Sequence, residues 1–77
     1  MNAANKMVQW TIYDHPKDYP DKFVVRQWII TPGKVTRGDV IMASPDLESI
    51  RKFLRSLGLQ ALERDLEDDP TIVETWL

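Results

Sequence analysis

The chain has 77 residues, no cysteine, and a formal net charge of -2 from ten basic and twelve acidic side chains. That length fits one domain and leaves no room for a second core. The absence of cysteine excludes disulfides and thiolate metal sites, and the net negative charge gives the molecule as a whole no attraction for nucleic acid or an anionic membrane.

Residues 1–6 are small and polar, and we expect them to form a disordered tail before a single α+β domain over residues 7–77. The tail has no apolar segment of the kind that directs secretion. No apolar run in the chain approaches the ~20 residues that span a bilayer. The sequence therefore predicts a cytoplasmic protein without a membrane partner.

Two strand-like runs flank a polar loop that contains two prolines. Residues 7–13 (MVQWTIY) alternate between apolar and polar, which is typical of a half-buried strand. Residues 23–30 (FVVRQWII) carry one polar residue on each face, so the pattern does not choose the buried side. We expect this second strand to lie centrally in a sheet. We also expect Trp10, Trp28 and Trp76 to belong to the core.

A turn and a third strand follow. Residues 31–34 (TPGK) have proline at the position where φ is preset and glycine where a type II turn needs a positive φ. The third strand is weak at 35–36 and stronger at 39–43. Gly38 between the two halves predicts a bulge or a bend.

One helix is predicted after the third strand. Ser44 is a suitable N-cap, and Pro45 loses nothing at the first helical position. Gly58 is the expected C′ residue, followed by Leu59 as the apolar contact of a Schellman cap. Between these ends runs an apolar stripe at helical spacing: Leu47, Ile50, Phe53, Leu54 and Leu57.

The C-terminal part contains one ambiguous segment and one strand. Residues 59–67 (LQALERDLE) fit either a short helix or an ordered loop, and residues 71–77 (TIVETWL) predict a final strand. The order β-β-β-α-β predicts an α+β fold with an antiparallel meander of three strands, one helix, and then a fourth strand. We expect a four-stranded sheet with the helix on one face and the last strand beside the first.

Three segments carry a resemblance: YDHP with YP at residues 13–20, KFVVR at 22–26, and DDP, IVE and WL at 68–77. Together they resemble a group of short bacterial hypothetical proteins of unknown function. The resemblance covers most of the chain from Tyr13 onward. It implies no activity, no cofactor and no site residue.

The loop after the first strand brings Asp14, His15, Asp18 and Tyr19 close together in sequence. His15 could act as a general base oriented by a carboxylate, or it could hold a divalent metal with the two acids. In the alternative, the acids make local turn hydrogen bonds and the prolines stiffen the loop. Because no second histidine or cysteine is present, we expect His15 to be solvent-accessible and to bind no metal.

Two charge clusters also allow two interpretations each. Residues 67–69 (EDD) could attract a cation or a basic partner, or they could be a solvated break between elements. A basic strip on the helix could bind phosphates, or it could be a solvated face with cations near the negative end of the helix dipole. Its members are Arg51, Lys52 and Arg55, joined by Arg37 and Arg64.

The pattern as a whole favours a non-enzymatic module that binds a partner protein or a second copy of the chain. We expect no catalytic residue, no cofactor and no metal. Apolar residues on both faces of residues 23–30 predict an exposed apolar patch, because one helix covers one face only. The alternatives are a nucleic-acid-binding module that uses the basic helix face and a small enzyme centred on His15. The candidate partner-binding residues are Tyr13, His15, Tyr19, Arg51 and Arg55.

Overall fold

A computed structural model describes residues 6–62 and 70–77. The elements are β1 (Met7–Asp14), β2 (Phe23–Thr31), β3 (Lys34–Ser44), α1 (Leu47–Ser56) and β4 (Ile72–Trp76). All neighbouring strands are antiparallel, and the sheet order is β3-β2-β1-β4. The predicted α+β meander with one helix is confirmed, as is the position of the last strand beside the first. Of the tail predicted over residues 1–6, residues 1–5 lie outside the described residues.

The helix packs on one face of the sheet, which we call the helix face. Ile12 of β1 and Val25 of β2 are opposite each other and fully buried. They pack with Ile50 and Leu54 of α1 and with Trp76 of β4. These side chains share a face because residues two apart along a strand point the same way and the register sets Ile12 against Val25. The other side of the sheet is the open face.

The three tryptophans do not share one environment. Trp76 is 3% exposed in the core, and Trp10 is partly buried against it. The core prediction is wrong for Trp28, which lies on the open face. Trp28 pairs with Gln9, one position out of phase with the Trp10 and Gln27 pair. A shift of one residue along a strand moves a side chain to the opposite face.

β3 is one irregular strand rather than two halves. Its register with β2 shifts twice between Val25 and Trp28, so extra residues of β3 oppose β2 there. Gly38 lies in this stretch, and a Cβ placed on it would be 2.7 Å from the carbonyl oxygen of Gln27. The bend predicted at Gly38 is therefore present as a bulge inside a continuous strand.

The helix begins later than predicted. Asp46, not Ser44, is the N-cap, and its carboxylate accepts a hydrogen bond from the backbone N–H of Glu48 at 3.2 Å. Ser44 still belongs to β3, and its hydroxyl accepts from the N–H of Asp46 at 3.0 Å. Pro45 therefore precedes the helix, so its predicted first helical position is also wrong. Either a serine or an aspartate can cap a helix, and the pairing of Ser44 with β2 decides between them.

The end of the helix agrees with the prediction. Gly58 has a φ of +82°, and its N–H donates to the carbonyl of Arg55 at 2.9 Å. The N–H of Leu59 donates to the carbonyl of Leu54 at 3.3 Å. This pair of hydrogen bonds is the Schellman arrangement, which needs a residue that tolerates a left-handed backbone.

After the helix, residues 60–62 run antiparallel to the C-terminal end of β4. Gln60 and Leu77 exchange backbone hydrogen bonds at 2.9 and 3.0 Å, and the N–H of Leu62 donates to the carbonyl of Thr75 at 2.8 Å. Of the ambiguous segment, residues 59–62 are thus ordered and not helical. Residues 63–67 lie outside the described part of the chain.

Candidate functional site

A concave pocket of about 290 Å³ opens on the open face of the sheet. That volume is at the low end of small-molecule sites, so it accommodates one or two amino-acid side chains rather than a large cofactor. Strand residues form its floor and a loop forms its wall. The lining residues are Tyr13, Pro16, Asp18, Tyr19, Val24, Arg26, Trp28, Arg37 and Val40.

The register of three strands brings the floor residues together. Tyr13 of β1 is opposite Val24 of β2, and Trp28 of β2 is opposite Arg37 of β3. Arg26 lies between Val24 and Trp28 along β2 and on the same face, because residues two apart along a strand share a face. The side chains that the helix leaves uncovered therefore converge on one region of the sheet.

The wall is a loop built from two successive turns. The N–H of Tyr19 donates to the carbonyl of Pro16 at 2.9 Å, and the N–H of Lys22 donates to the carbonyl of Tyr19 at 3.2 Å. A third bond, from the N–H of His15 to the carbonyl of Lys22 at 3.0 Å, closes the loop. Pro20 occupies the second position of the second turn, where its ring presets φ. The wall is ordered before any ligand arrives.

Hydrogen bonds fix two of the floor side chains. The indole N–H of Trp28 donates to the hydroxyl of Tyr13 at 3.0 Å. Arg26 donates through Nη1 to the carbonyl oxygen of Gly38 at 2.5 Å. This bond lies at the bulge in β3, because Gly38 falls within the stretch where the register with β2 shifts. The bulge thus positions the guanidinium group of Arg26.

The charges in the pocket are unbalanced. Arg26 and Arg37 contribute two guanidinium groups, and among the described residues Asp18 is the one carboxylate in the lining. Within residues 6–62 and 70–77, the ion pairs include neither arginine. Arg37 is exposed, so its guanidinium is available to a ligand from solution.

His15 lies beside the pocket and is not part of its lining. Its backbone has a φ of +49°, its Nδ1 contacts the carboxylate of Asp14, and its ring meets the ring of Phe23 edge-on at 4.9 Å between centroids. His15 and Asp14 are both exposed, as predicted for the histidine. In the described ranges, no group of three or more His, Asp or Glu side chains is placed to hold a metal ion.

Arg51 and Arg55 lie on α1, on the opposite side of the sheet from the pocket. Arg51 forms a bidentate salt bridge with Glu74 of β4: Nε donates to Oε1 at 3.1 Å and Nη2 donates to Oε2 at 2.9 Å. The hydrogen bond to Glu74 raises the pKa of Arg51 above its ordinary value. The guanidinium of Arg55 lies over the ring of Trp76, 5.9 Å from its centroid.

The candidate residues are therefore divided. Tyr13 and Tyr19 line the pocket, His15 lies next to it, and the two helix arginines are remote from it. Sequence reasoning missed Arg26 and Trp28 as members of a site. It named Asp18 in the loop cluster with His15 and Arg37 in the basic strip of the helix, and the structure places both in the pocket lining. The alternation in β2 places Val24, Arg26 and Trp28 on one face of the strand, but it does not indicate which face the helix leaves uncovered.

Comparison of the chain with protein-family models, with curated proteins and with solved structures finds no match. In the part of the chain that the structure describes, no helix is long and apolar enough to cross a membrane.

Proposed function

We propose that this protein is a non-enzymatic interaction module that binds a segment of a partner protein in the open-face pocket. One observation carries the proposal: a preformed concavity lined by one tryptophan, two tyrosines and two arginines lies on the sheet face that the helix leaves uncovered. These three residue types dominate the binding energy of protein interfaces when they are enclosed by a partner.

The physical cost of binding here is low. Tryptophan and tyrosine offer large contact areas and lose few rotamers when a partner covers them. The hydrogen bond between Trp28 and Tyr13 already orients both rings. The two turns of the loop already hold Tyr19 in the wall. Little conformational entropy remains to be lost, which favours affinity for a given contact area.

A nucleic-acid partner fits the charges less well. The basic helix face that suggested one holds Arg51 against Glu74 and Glu48, and Arg55 near Glu48. Around the pocket, the loop carries the acids Asp14, Asp18 and Asp21 against the two lysines Lys17 and Lys22, so its charge does not favour a chain of phosphates. Nucleic-acid binding is therefore one of the outcomes that the crosslinking experiment below distinguishes.

An enzyme centred on His15 has less geometric support. The His15 and Asp14 pair is exposed and lies outside the pocket lining, so a substrate in the pocket would not be enclosed with it. General acid–base chemistry requires the catalytic group within hydrogen-bond reach of the reacting atom.

Site-specific photocrosslinking tests the proposal in cells of the source organism. A photoreactive phenylalanine analogue replaces Val35, which is 63% exposed on the open face near the pocket and does not line it. The control places the same group at Lys52, an exposed residue of α1 on the other side of the molecule.

We expect a discrete protein adduct at position 35 and none at position 52, identified by mass spectrometry of the purified adduct. An adduct with a second copy of the chain would make the partner homotypic. Adducts of equal yield at both positions, or adducts with nucleic acid alone, would overturn the proposal.

A further inference from the structure

We infer that the segment bound in the pocket is acidic: a side-chain carboxylate contacts Arg26 and Arg37 while an adjacent apolar or proline side chain lies against Trp28 and Tyr19. The inference rests on the proposed function and adds the chemistry of the partner. It follows from the imbalance of charge in the lining together with the positions of the aromatic rings.

The two arginines have donors to spare. A guanidinium carries five N–H donors, and the described contacts of Arg26 use one nitrogen, Nη1, on the carbonyl of Gly38. That bond holds the side chain of Arg26 in place at the floor of the pocket. Arg37 is opposite Trp28 in the neighbouring strand, and both arginines line the same pocket as that tryptophan. A carboxylate is the planar partner that matches the fork of a guanidinium.

The charge balance favours a single carboxylate over a polyanion. Two guanidinium groups and the carboxylate of Asp18 leave one net positive charge in the lining. One carboxylate neutralises that charge. A run of phosphates would bring further negative charges against a loop in which three aspartates outnumber the two lysines Lys17 and Lys22, which like-charge repulsion opposes.

The apolar part of the pocket lining favours an apolar side chain next to that carboxylate in the bound segment. Val24 is 2% exposed at the floor, and Val40 and Pro16 add apolar surface around the rings. The volume of about 290 Å³ suits one or two side chains of ordinary size. Proline is favoured because it is already rigid and packs flat on aromatic rings.

The experiment is an NMR titration of the full-length chain with two short blocked peptides. In one, glutamate alternates with leucine and proline; in the other, glutamine replaces every glutamate and nothing else changes. Both peptides are added to the wild-type chain and to three variants. Arg37→Gln removes the cation, Arg37→Lys keeps the charge without the fork, and Lys52→Gln removes one positive charge from the far side of the molecule.

We expect the acidic peptide to shift the backbone amide signals of Arg26, Trp28 and Tyr19 in a saturable way. The glutamine peptide should bind about tenfold more weakly, which is the usual worth of a charge-assisted hydrogen bond. Arg37→Gln should abolish the difference between the peptides, Arg37→Lys should retain part of it, and Lys52→Gln should leave it unchanged. A dispersed spectrum of each variant shows that it is folded.

Three results would overturn the inference. Equal affinity for both peptides would show that the carboxylate is not recognised, and it would leave the proposed interaction function standing. No shift of the pocket amides at millimolar concentration of either peptide would remove the acidic segment as a ligand. Tighter binding of a single-stranded oligonucleotide than of the acidic peptide at the same amides would reassign the pocket to nucleic acid. The crosslinking experiment at position 35 tests the proposed function separately from all three.

Discussion

At the scale of single residues, the contact between Arg51 and Glu74 joins the helix to the last strand. The side chains are 29% and 23% exposed, so the pair is partly shielded from water. The same Glu74 carboxylate accepts a hydrogen bond from the indole N–H of Trp76 at 3.1 Å. One carboxylate therefore serves a cation on α1 and a core tryptophan at once.

Replacing Glu74 by glutamine should destabilise the protein by about 1–3 kcal/mol, because Arg51 keeps its charge and loses its counter-ion in a partly buried place. Urea unfolding at neutral pH measures the change. The matched control is Glu48→Gln, which removes an exposed carboxylate 3.8 Å from Arg51. That variant should lie within about 0.5 kcal/mol of the wild type. Equal losses in the two variants would contradict the assigned role of Glu74.

The raised pKa of Arg51 should give no pH dependence of stability between pH 7 and 9, because the guanidinium stays charged throughout that range. A group whose pKa is raised in the folded state stabilises it below the unfolded pKa and loses that effect only above it. For arginine that loss begins above about pH 12. Urea midpoints of wild type and Arg51→Gln across this range measure the effect. The Arg51 contribution should be the same from pH 7 to 9, and a fall over that interval would contradict the prediction.

The tryptophans should differ in their contribution to stability. Trp76→Ala should cost about 3–5 kcal/mol, because it empties a site in the core. Trp28→Ala should cost less than about 2 kcal/mol, because the side chain is partly exposed on the open face and loses one hydrogen bond to Tyr13. Chemical unfolding of the two variants compares them, and the reverse order would contradict the placement of Trp28.

At the scale of elements, local chemistry predicted some ends and not others. Gly58 was predictable because few residues other than glycine adopt a left-handed backbone at a helix end. The first residue of the helix was not predictable, because Ser44 and Asp46 are equally good caps and the choice depends on how far β3 continues along β2. That length is set by a contact with residues far away in sequence, which local patterns do not contain.

Gly38→Ala tests the bulge in β3. The added Cβ would meet the carbonyl oxygen of Gln27 at 2.7 Å, and a backbone atom in a paired strand has little freedom to move. We expect a loss of about 1–3 kcal/mol and weaker binding of the acidic peptide, because Arg26 bonds to the carbonyl of Gly38. The control is Gly33→Asn, at a turn with a φ of +75° and no neighbour within 4 Å. Asparagine tolerates that backbone, so this control should lose less than about 1 kcal/mol. Unfolding midpoints that are equal for the two variants would contradict the crowding at Gly38.

At the scale of the whole molecule, the order of the elements was predictable and the pocket was not. Tyr13 and Tyr19 were identifiable because they border a proline-stiffened loop. Trp28 and Arg26 were not, because each face of β2 carries one polar residue and the pattern is symmetrical. The pocket exists only once β1, β2, β3 and the loop are assembled, so its lining depends on register between strands.

Substituting proline for Gln60 should change how the molecules associate. Gln60 donates its N–H to the carbonyl of Leu77, and proline has no such donor. We expect the segment to detach from β4 and the variant to form concentration-dependent assemblies, since an uncovered strand edge pairs with other strands. Ala61→Pro is the control, because the backbone hydrogen bonds of residues 60–62 with the strand use the N–H groups of Gln60 and Leu62. Sedimentation velocity distinguishes the two; similar profiles would contradict the covering role.

The segment at 60–62 also limits the size of any assembly that forms through sheet edges. The segment bonds to Thr75 of β4 and to Leu77 just after the strand, whereas β3 is the outer strand at the other end of the sheet. A molecule with one free sheet edge behaves like a monofunctional monomer in polymer chemistry. Two such molecules can pair edge to edge, and no free edge then remains for a third. Pairing through the β3 edge alone would therefore stop at the dimer and would not lead to a fibre.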